Sequence, residues 1–317
     1  MRDRLYPPIE PYVSAMLKLD ATHSMYWEQS GNPEGIPVLF LHGGPGAGAT
    51  SVHRRFFDPS FYRIVIFDQR GAGRSIPHGN LSDNTTAHLI EDIERLRHLL
   101  GISKFLLFGG SWGSTLAIAY AQSYPENCLG LVIRGIFLGR ASEIHWFLYG
   151  LKRVFPEAWR TFVSVLPENE RVDILENFRR RLLDPDPSVY LPAARAWSRY
   201  EGACSTLHPS RETVAAFSND STAVALARIE THYFSNGNFM PDNALLENIE
   251  KCSGLPCLII QGRYDMICPI STADELHRAW PSSEIKIIPN AGHSAMDPGV
   301  REALVQATEM HKEIVAD

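Results

Sequence analysis

The sequence predicts an α/β fold: a mostly parallel central sheet with helices on both faces and a helical segment inserted after a central strand. Three observations predict it. Short apolar runs alternate with stretches of helical period, the pattern of βαβ units. At residues 105–122, FLLFGGSWGSTLAIAYAQ, an apolar run passes through a Gly-Gly-Ser-Trp-Gly turn into a stretch of small, helix-compatible residues. Between about residues 137 and 236 the alternation stops, in a region of aromatics, charges and prolines with few β-branched runs. The expected division is a sheet-bearing catalytic domain at 1–136 and 237–317, with a helical cap at 137–236.

Taken in order, residues 25–29 (MYWEQ) form an early strand closed by the turn-prone Ser30-Gly31-Asn32-Pro33. Residues 37–41, with VLFL at their centre, are too apolar for a sheet with one wet face and predict a buried parallel strand. That strand ends in His42-Gly43-Gly44-Pro45-Gly46, where little side-chain bulk covers the peptide N–H groups. The next strand, 62–67 (YRIVIF), leads into DQRGAGRS at 68–75. The full G-x-G-x-x-G pattern of a dinucleotide loop is missing there, so Asp68 and Arg70 are expected to brace the loop. Asn84-Thr85-Thr86 supplies cap-type residues for a helix whose Leu89, Ile93, Leu96 and Leu100 share one face, and Gly101 stops it. Residues 105–108 and 129–133 are central strands on either side of the serine-bearing turn. After the inserted region come a strand at 256–261, a helix at about 270–280, a last strand at 284–288 and a terminal helix from about residue 300.

The chemistry gathers at strand ends. G-G-S-W-G fits G-x-S-x-G, in which a serine sits on a cramped strand-to-helix turn with its hydroxyl pushed into the open. The same turn aims N–H groups of the helix start at the space beside that hydroxyl, where an oxyanion can be held. Asp265 follows the strand at 256–261 and His293 follows the strand at 284–288, both at the carboxyl edge where open α/β sheets bind ligands. A serine hydroxyl is a weak nucleophile at neutral pH. An imidazole must take its proton, and a carboxylate must fix the imidazole tautomer and stabilise the imidazolium. The order Ser111, Asp265, His293 matches that division of labour, and the remaining eleven of the twelve histidines lack such placement.

Composition narrows the partners. With 36 acidic and 30 basic residues the net charge is −6, which disfavours a polyanionic partner such as nucleic acid. The charged, proline-bearing start and the lack of any apolar run of membrane-spanning length lead to the expectation of a soluble cytoplasmic protein with no membrane association. Five scattered cysteines without metal-ligand spacing, Cys128, Cys204, Cys252, Cys257 and Cys268, are expected to be free thiols. Cys268, three residues after Asp265, is expected near the site without a catalytic role.

Over nearly its whole length the chain resembles the proline iminopeptidases of the α/β-hydrolase superfamily. The resemblance is carried by HGGPG at 42–46, DQRGAGRS at 68–75, GGSWGSTLAIAYAQ at 109–122, RGIF at 134–137, ARAWSRYEG at 194–202, ARIETHYF at 227–234, QGRYD at 261–265 and AGHS at 291–294. It implies release of N-terminal proline from small peptides without metal or cofactor. In that case Ser111 is the nucleophile, His293 the general base and acid, Asp265 its orienter, and the N–H groups of Gly44 and Trp112 the oxyanion hole. It further implies that Glu201 and Glu230 hold the substrate's charged imino group, and that Phe137, Phe147 and Phe234 line a proline pocket. Tyr200 stands where relatives usually carry tryptophan, and Phe147 where a tyrosine is common.

Two other readings share these residues. A carboxylesterase or amidase with the same triad would act on acyl substrates regardless of a free amine. A non-catalytic ligand-binding protein on the same fold would leave the serine unreactive. Dehalogenases and epoxide hydrolases place an aspartate at the turn, where this chain has Ser111.

Overall fold

The computed structural model describes residues 4–316. Its centre is a sheet of eight strands: β1 (Val13–Lys18), β2 (Ser24–Gly31), β3 (Ile36–Leu41), β4 (Tyr62–Phe67), β5 (Phe105–Ser111), β6 (Cys128–Ile136), β7 (Cys257–Gly262) and β8 (Ser283–Ile288), in the spatial order β1-β2-β4-β3-β5-β6-β7-β8. β2 runs antiparallel to β1 and β4, and every other neighbouring pair is parallel. The apolar runs fall where such a sheet needs them: β5 and β7 are buried at every position, having covered faces on both sides. β1 was not expected from the sequence. It is a solvent-lined edge strand, almost wholly exposed, so VSAMLK carries no alternation of apolar and polar residues to betray it.

The helices are α1 (Thr86–Leu99), α2 (Trp112–Ser123), α3 (Ala141–His145), α4 (Pro156–Val163), α5 (Ile174–Leu182), α6 (Pro187–Cys204), α7 (Arg211–Phe217), α8 (Asp220–Ser235), α9 (Ala244–Glu247), α10 (Ile270–Ala279) and α11 (Pro298–Ala316). Thr85 caps α1 by accepting the His88 N–H, and Leu89, Ile93 and Leu96 are buried beneath it. Leu100, expected as the next residue of that stripe, instead forms the C-terminal cap and is only partly buried. Apolar side chains of α1, α2 and α10 fill the core on one face of the sheet, and those of α11 fill it on the other.

Between β6 and β7 the chain forms α3 to α9 and short helical turns without a strand. α6 opens with Asp186 as its cap and Pro187 in its first turn, where a missing N–H costs nothing. It packs against α4, α5, α7 and α8. An aromatic cluster binds these helices together. Phe162 stacks on Tyr200 at 4.4 Å and on Phe178 at 4.6 Å, and Trp197 meets Phe178 edge-on at 5.3 Å. Among the described residues no helix is long and apolar enough to cross a membrane.

Arg70 shows how the loop after β4 is held. Its guanidinium donates to both carboxylate oxygens of Asp92 at 2.6 and 2.9 Å, and also to Asp20 and the Asp83 carbonyl. Asp68 accepts from the Ala49 and Arg74 N–H groups and pairs with the Arg74 side chain. Both residues therefore brace this region. Arg70 also keeps Asp20, whereas Asp92 is buried and has Arg70 as its ion-pair partner, so removing Arg70 strands the Asp92 charge out of water. Arg70→Ala is expected to lower stability by about 3–5 kcal/mol in urea unfolding. A loss within about 0.5 kcal/mol, the range of an ordinary surface substitution, would contradict this account.

Candidate active site

Ser111 ends β5 and serves as the N-terminal cap of α2 at φ 57°, ψ −128°, a backbone conformation a non-glycine residue rarely adopts. Such a conformation costs on the order of 1–3 kcal/mol and persists only where the surroundings fix it. Here they do. A Cβ on Gly113 would lie 2.2 Å from the Leu41 carbonyl oxygen, so only glycine lets α2 approach the end of β3 this closely.

His293 and Asp265 come from the loops after β8 and β7. His293 Nδ1 lies 2.8 Å from Asp265 Oδ2. The second carboxylate oxygen accepts the Cys268 N–H at 2.8 Å, and Gln261 Nε2 donates to Oδ2 at 3.2 Å. The acceptor-rich carboxylate makes Nδ1 the donor, which leaves Nε2 as the basic nitrogen. The loop is also tied from the other side: the N–H groups of His293 and Ser294 both donate to the Ser205 carbonyl, at 2.9 and 2.8 Å, just beyond α6. Ser111 and His293 border one cavity, of about 450 Å³, but no hydrogen bond joins them. The Cys268 thiol and Ser111 border a common recess. A catalytic hydrogen bond is commonly loose before substrate enters.

Gly44 borders the same space. Its N–H has no backbone partner among the described residues, and the Trp112 N–H belongs to the first turn of α2, where helices leave donors unpaired. A chain of hydrogen bonds fixes this loop against the helix. Trp112 Nε1 donates to Gln69 Oε1 at 2.9 Å, the Gln69 N–H donates to His42 Nε2 at 2.9 Å, and Gln69 Nε2 donates to the His42 carbonyl at 3.0 Å. Because His42 Nε2 accepts, its Nδ1 donates to the Gly43 carbonyl. Burial pulls the His42 pKa down, consistent with that neutral tautomer. Gln69 was not singled out from sequence. Its motif was visible, but its contact with Trp112 depends on tertiary packing.

A smaller inner recess, of about 20 Å³, opens beyond Ser111. Phe137, Phe147, Phe234, Ile267 and Cys268 form its apolar walls, and Glu143, Glu201 and Glu230 also border it. Phe234 meets Phe137 at 6.0 Å and Phe147 at 6.3 Å, both edge-on. Tyr200 does not border the recess. It lies behind Phe147, 5.4 Å away, and its hydroxyl donates to the Phe147 carbonyl.

Glu201 on α6 and Glu230 on α8 are both buried. Trp197 Nε1 donates to Glu230 Oε2, while Glu201 Oε2 is buried with no partner among the described residues. Burial raises the Glu201 pKa to about 8. Burial, and then the neighbouring Glu201 charge, push Glu230 well above the ordinary carboxylate value. Two desolvated carboxylates side by side, with no cation paired to them among the described residues, form a site that a cationic ligand would stabilise. Cys268 is of another kind: burial raises its thiol well above the usual value, which keeps it protonated and weakly nucleophilic. All five cysteines are free and buried. Among the described residues no group of three or more His, Cys, Asp or Glu is placed to hold a metal ion.

Residues 36–300 match the family model described as the alpha/beta hydrolase fold. The chain is 51% identical to a proline iminopeptidase of Arabidopsis thaliana over 98% of this chain and 83% of that protein. It is 50% identical to a proline iminopeptidase of Xylella fastidiosa over 96% of this chain and 98% of the relative. A solved proline iminopeptidase of Mycobacterium smegmatis superimposes with a TM-score of 0.62 at 22% identity, covering 96% of this chain and all of that one, a likeness of fold.

The raised carboxylates have a consequence for stability. A carboxyl whose folded pKa exceeds its unfolded value stabilises the fold fully below the unfolded value, 4.5 for glutamate, and loses that contribution as pH rises through the folded value, about 8 for Glu201. The melting temperature of the ligand-free protein is expected to fall from about pH 6 to about pH 9, and less steeply in Glu201→Gln. Parallel curves for the two proteins in calorimetric scans would contradict this. For Cys268, the expected outcome is that an organomercurial blocks turnover by crowding the recess, and that Cys268→Ala remains active and becomes resistant. An inactive Cys268→Ala would give the thiol a role in the chemistry itself.

Proposed function

The chain belongs to the proline iminopeptidases of the alpha/beta hydrolase fold, and we propose that it is a serine aminopeptidase releasing proline from the N-termini of small peptides. The observation that carries this reading is the pair of buried carboxylates, Glu201 and Glu230, bordering the same recess as Ser111. An N-terminal proline is a secondary amine whose protonated form has two N–H bonds, one for each carboxylate. Charge-assisted hydrogen bonds in a largely dry pocket are the strong ones. The pyrrolidine ring then packs against Phe137, Phe147 and Phe234, which must part to widen the recess of about 20 Å³, and an apolar ring leaves water there.

With the amine held there, the scissile carbonyl reaches Ser111. His293 Nε2 takes the Oγ proton as Oγ attacks, and the carbonyl oxygen becomes an oxyanion facing the N–H groups of Gly44 and Trp112. Asp265 stabilises the imidazolium through Nδ1. His293 passes the proton to the leaving amine, the C–N bond breaks, and prolyl-Ser111 remains as an ester. Water, deprotonated by the same imidazole, attacks the ester and frees proline. Residues 137–236 act in this scheme as a cap over the catalytic domain formed by 1–136 and 237–317. Closing the recess beyond the amine makes the enzyme an exopeptidase, since a residue preceding proline would have no room.

The triad acts as a unit, so its members are not additive. Ser111→Ala and His293→Ala are each expected to reduce kcat on a prolyl amide by roughly four to six orders of magnitude, and the double variant should be scarcely worse. Circular dichroism should show the fold unchanged, and a fluorophosphonate should label wild type but not Ser111→Ala. Near-normal turnover by Ser111→Ala would overturn the reading.

A further inference from the structure

Residues 289–297 carry His293 from β8 to α11 without helix or strand, so bonds to other elements must fix this loop. At His293 they reach both backbone groups. Its N–H and that of Ser294 donate to the Ser205 carbonyl, and its own carbonyl accepts Arg134 Nη1 at 2.7 Å. The Ala291 carbonyl accepts the Tyr264 N–H at 3.0 Å. Gly292, between these two, donates its buried N–H to Asp297 Oδ2 at 2.7 Å.

The same carboxylate oxygen accepts the Leu207 N–H at 3.4 Å, from the inserted segment that leaves α6 after Ser205. A Cβ on Gly292 would lie 2.8 Å from the Leu207 nitrogen and 3.3 Å from Asp297 Oδ2. The loop, the carboxylate and the inserted segment are thus in direct contact, and only glycine fits between them. Asp297 forms no ion pair among the described residues, and its side chain accepts from these two backbone N–H groups. Its part is that of an acceptor, since bonds from N–H donors to a carboxylate are charge-assisted and fix geometry.

We infer that Asp297 is a positioning residue for the catalytic histidine: it holds the residue before His293 and seats the cap segment against it, which sets the imidazole at reactive distance from Ser111. This rests on His293 being the base for Ser111. Removing the acceptor leaves the buried Gly292 N–H unpaired, and the loop relieves that cost by moving. The imidazole is one residue away and moves with it. A misplacement of about 1 Å at a reacting group costs about a hundredfold in rate. Two aspartates then divide the work on one histidine: Asp265 fixes which ring nitrogen carries the proton, and Asp297 fixes where the ring stands.

The test is kcat and KM on prolyl 4-nitroanilide, per active site titrated with a fluorophosphonate, for wild type, Asp297→Asn, Asp297→Glu and Asp297→Ala. Asparagine keeps an acceptor oxygen at the same reach without the charge, whereas glutamate keeps the charge and carries the acceptor one methylene further. Asp297→Asn is expected to stay within about threefold of wild-type kcat. Asp297→Glu and Asp297→Ala should lose about ten- to a hundredfold in kcat, with KM within about twofold of wild type. The rate of fluorophosphonate labelling, which needs the imidazole and no amine, should fall by the same factor. Titration removes misfolded enzyme from the comparison, and the contrast between Asp297→Asn and Asp297→Glu decides the matter if Asp297→Ala fails to fold. Wild-type kcat in Asp297→Glu, a change in KM alone, labelling at the wild-type rate, or an Asp297→Asn as impaired as Asp297→Glu would each overturn the inference while wild-type turnover upheld the aminopeptidase. Failure of wild type to hydrolyse the nitroanilide would overturn the proposed function itself.

Discussion

The conformation of Ser111 is the constraint on which the rest of the site depends. A residue at φ 57° with a side chain is unfavourable by itself, and it is held because β5 is buried at every position between β3 and β6 while α2 crosses close to Leu41. The packing that imposes this backbone also decides what surrounds the hydroxyl. The loop after β3 is brought to the start of α2, and Gln69 locks it there through His42 and the Trp112 indole. The loops after β7 and β8 emerge at the same sheet edge and deliver Asp265 and His293. Local strain and global topology thus support one another.

Electrostatics is divided between the two parts of the molecule. The sheet loops contribute a carboxylate, Asp265, that is hydrogen-bonded by Gln261 and the Cys268 N–H and so suited to hold an imidazolium. The inserted helices contribute two carboxyls, Glu201 and Glu230, that are buried and short of partners. The first arrangement makes a charge stable and the second makes it demanding. A ligand that brings a cation to the second while presenting a carbonyl to Ser111 satisfies both. The Ser205 carbonyl, accepting from the His293 and Ser294 N–H groups, links the two parts mechanically, so a displacement of α6 reaches the imidazole directly.

Much of this was legible because the chemistry restricts residue type. β4 was read from its apolar run alone, and the serine turn, Asp265 and His293 were read because each sits past a strand end. Glu201 and Glu230 were another matter. On helices, two glutamates look like solvated surface, and only the long motifs around them singled them out. β1 was missed because an exposed edge strand needs no apolar pattern. Gln69 and Gln261 were missed because their contacts with the Trp112 indole and Asp265 depend on loop packing, which no local pattern encodes.

The central claim is that the selectivity for a charged N-terminus resides in the paired carboxylates and the bond cleavage in Ser111. The most direct measurement is kcat/KM on a prolyl amide and on its N-acetylated form, for wild type, Glu201→Gln and Glu230→Gln, with folding checked by circular dichroism. Acetylation removes the cation and adds bulk where the amine sits, so wild type should barely cleave the blocked substrate. Each glutamine variant should lose about ten- to a hundredfold on the free substrate and narrow the gap to the acetylated one. Equal wild-type rates on the two substrates would contradict the account and favour a general esterase or amidase.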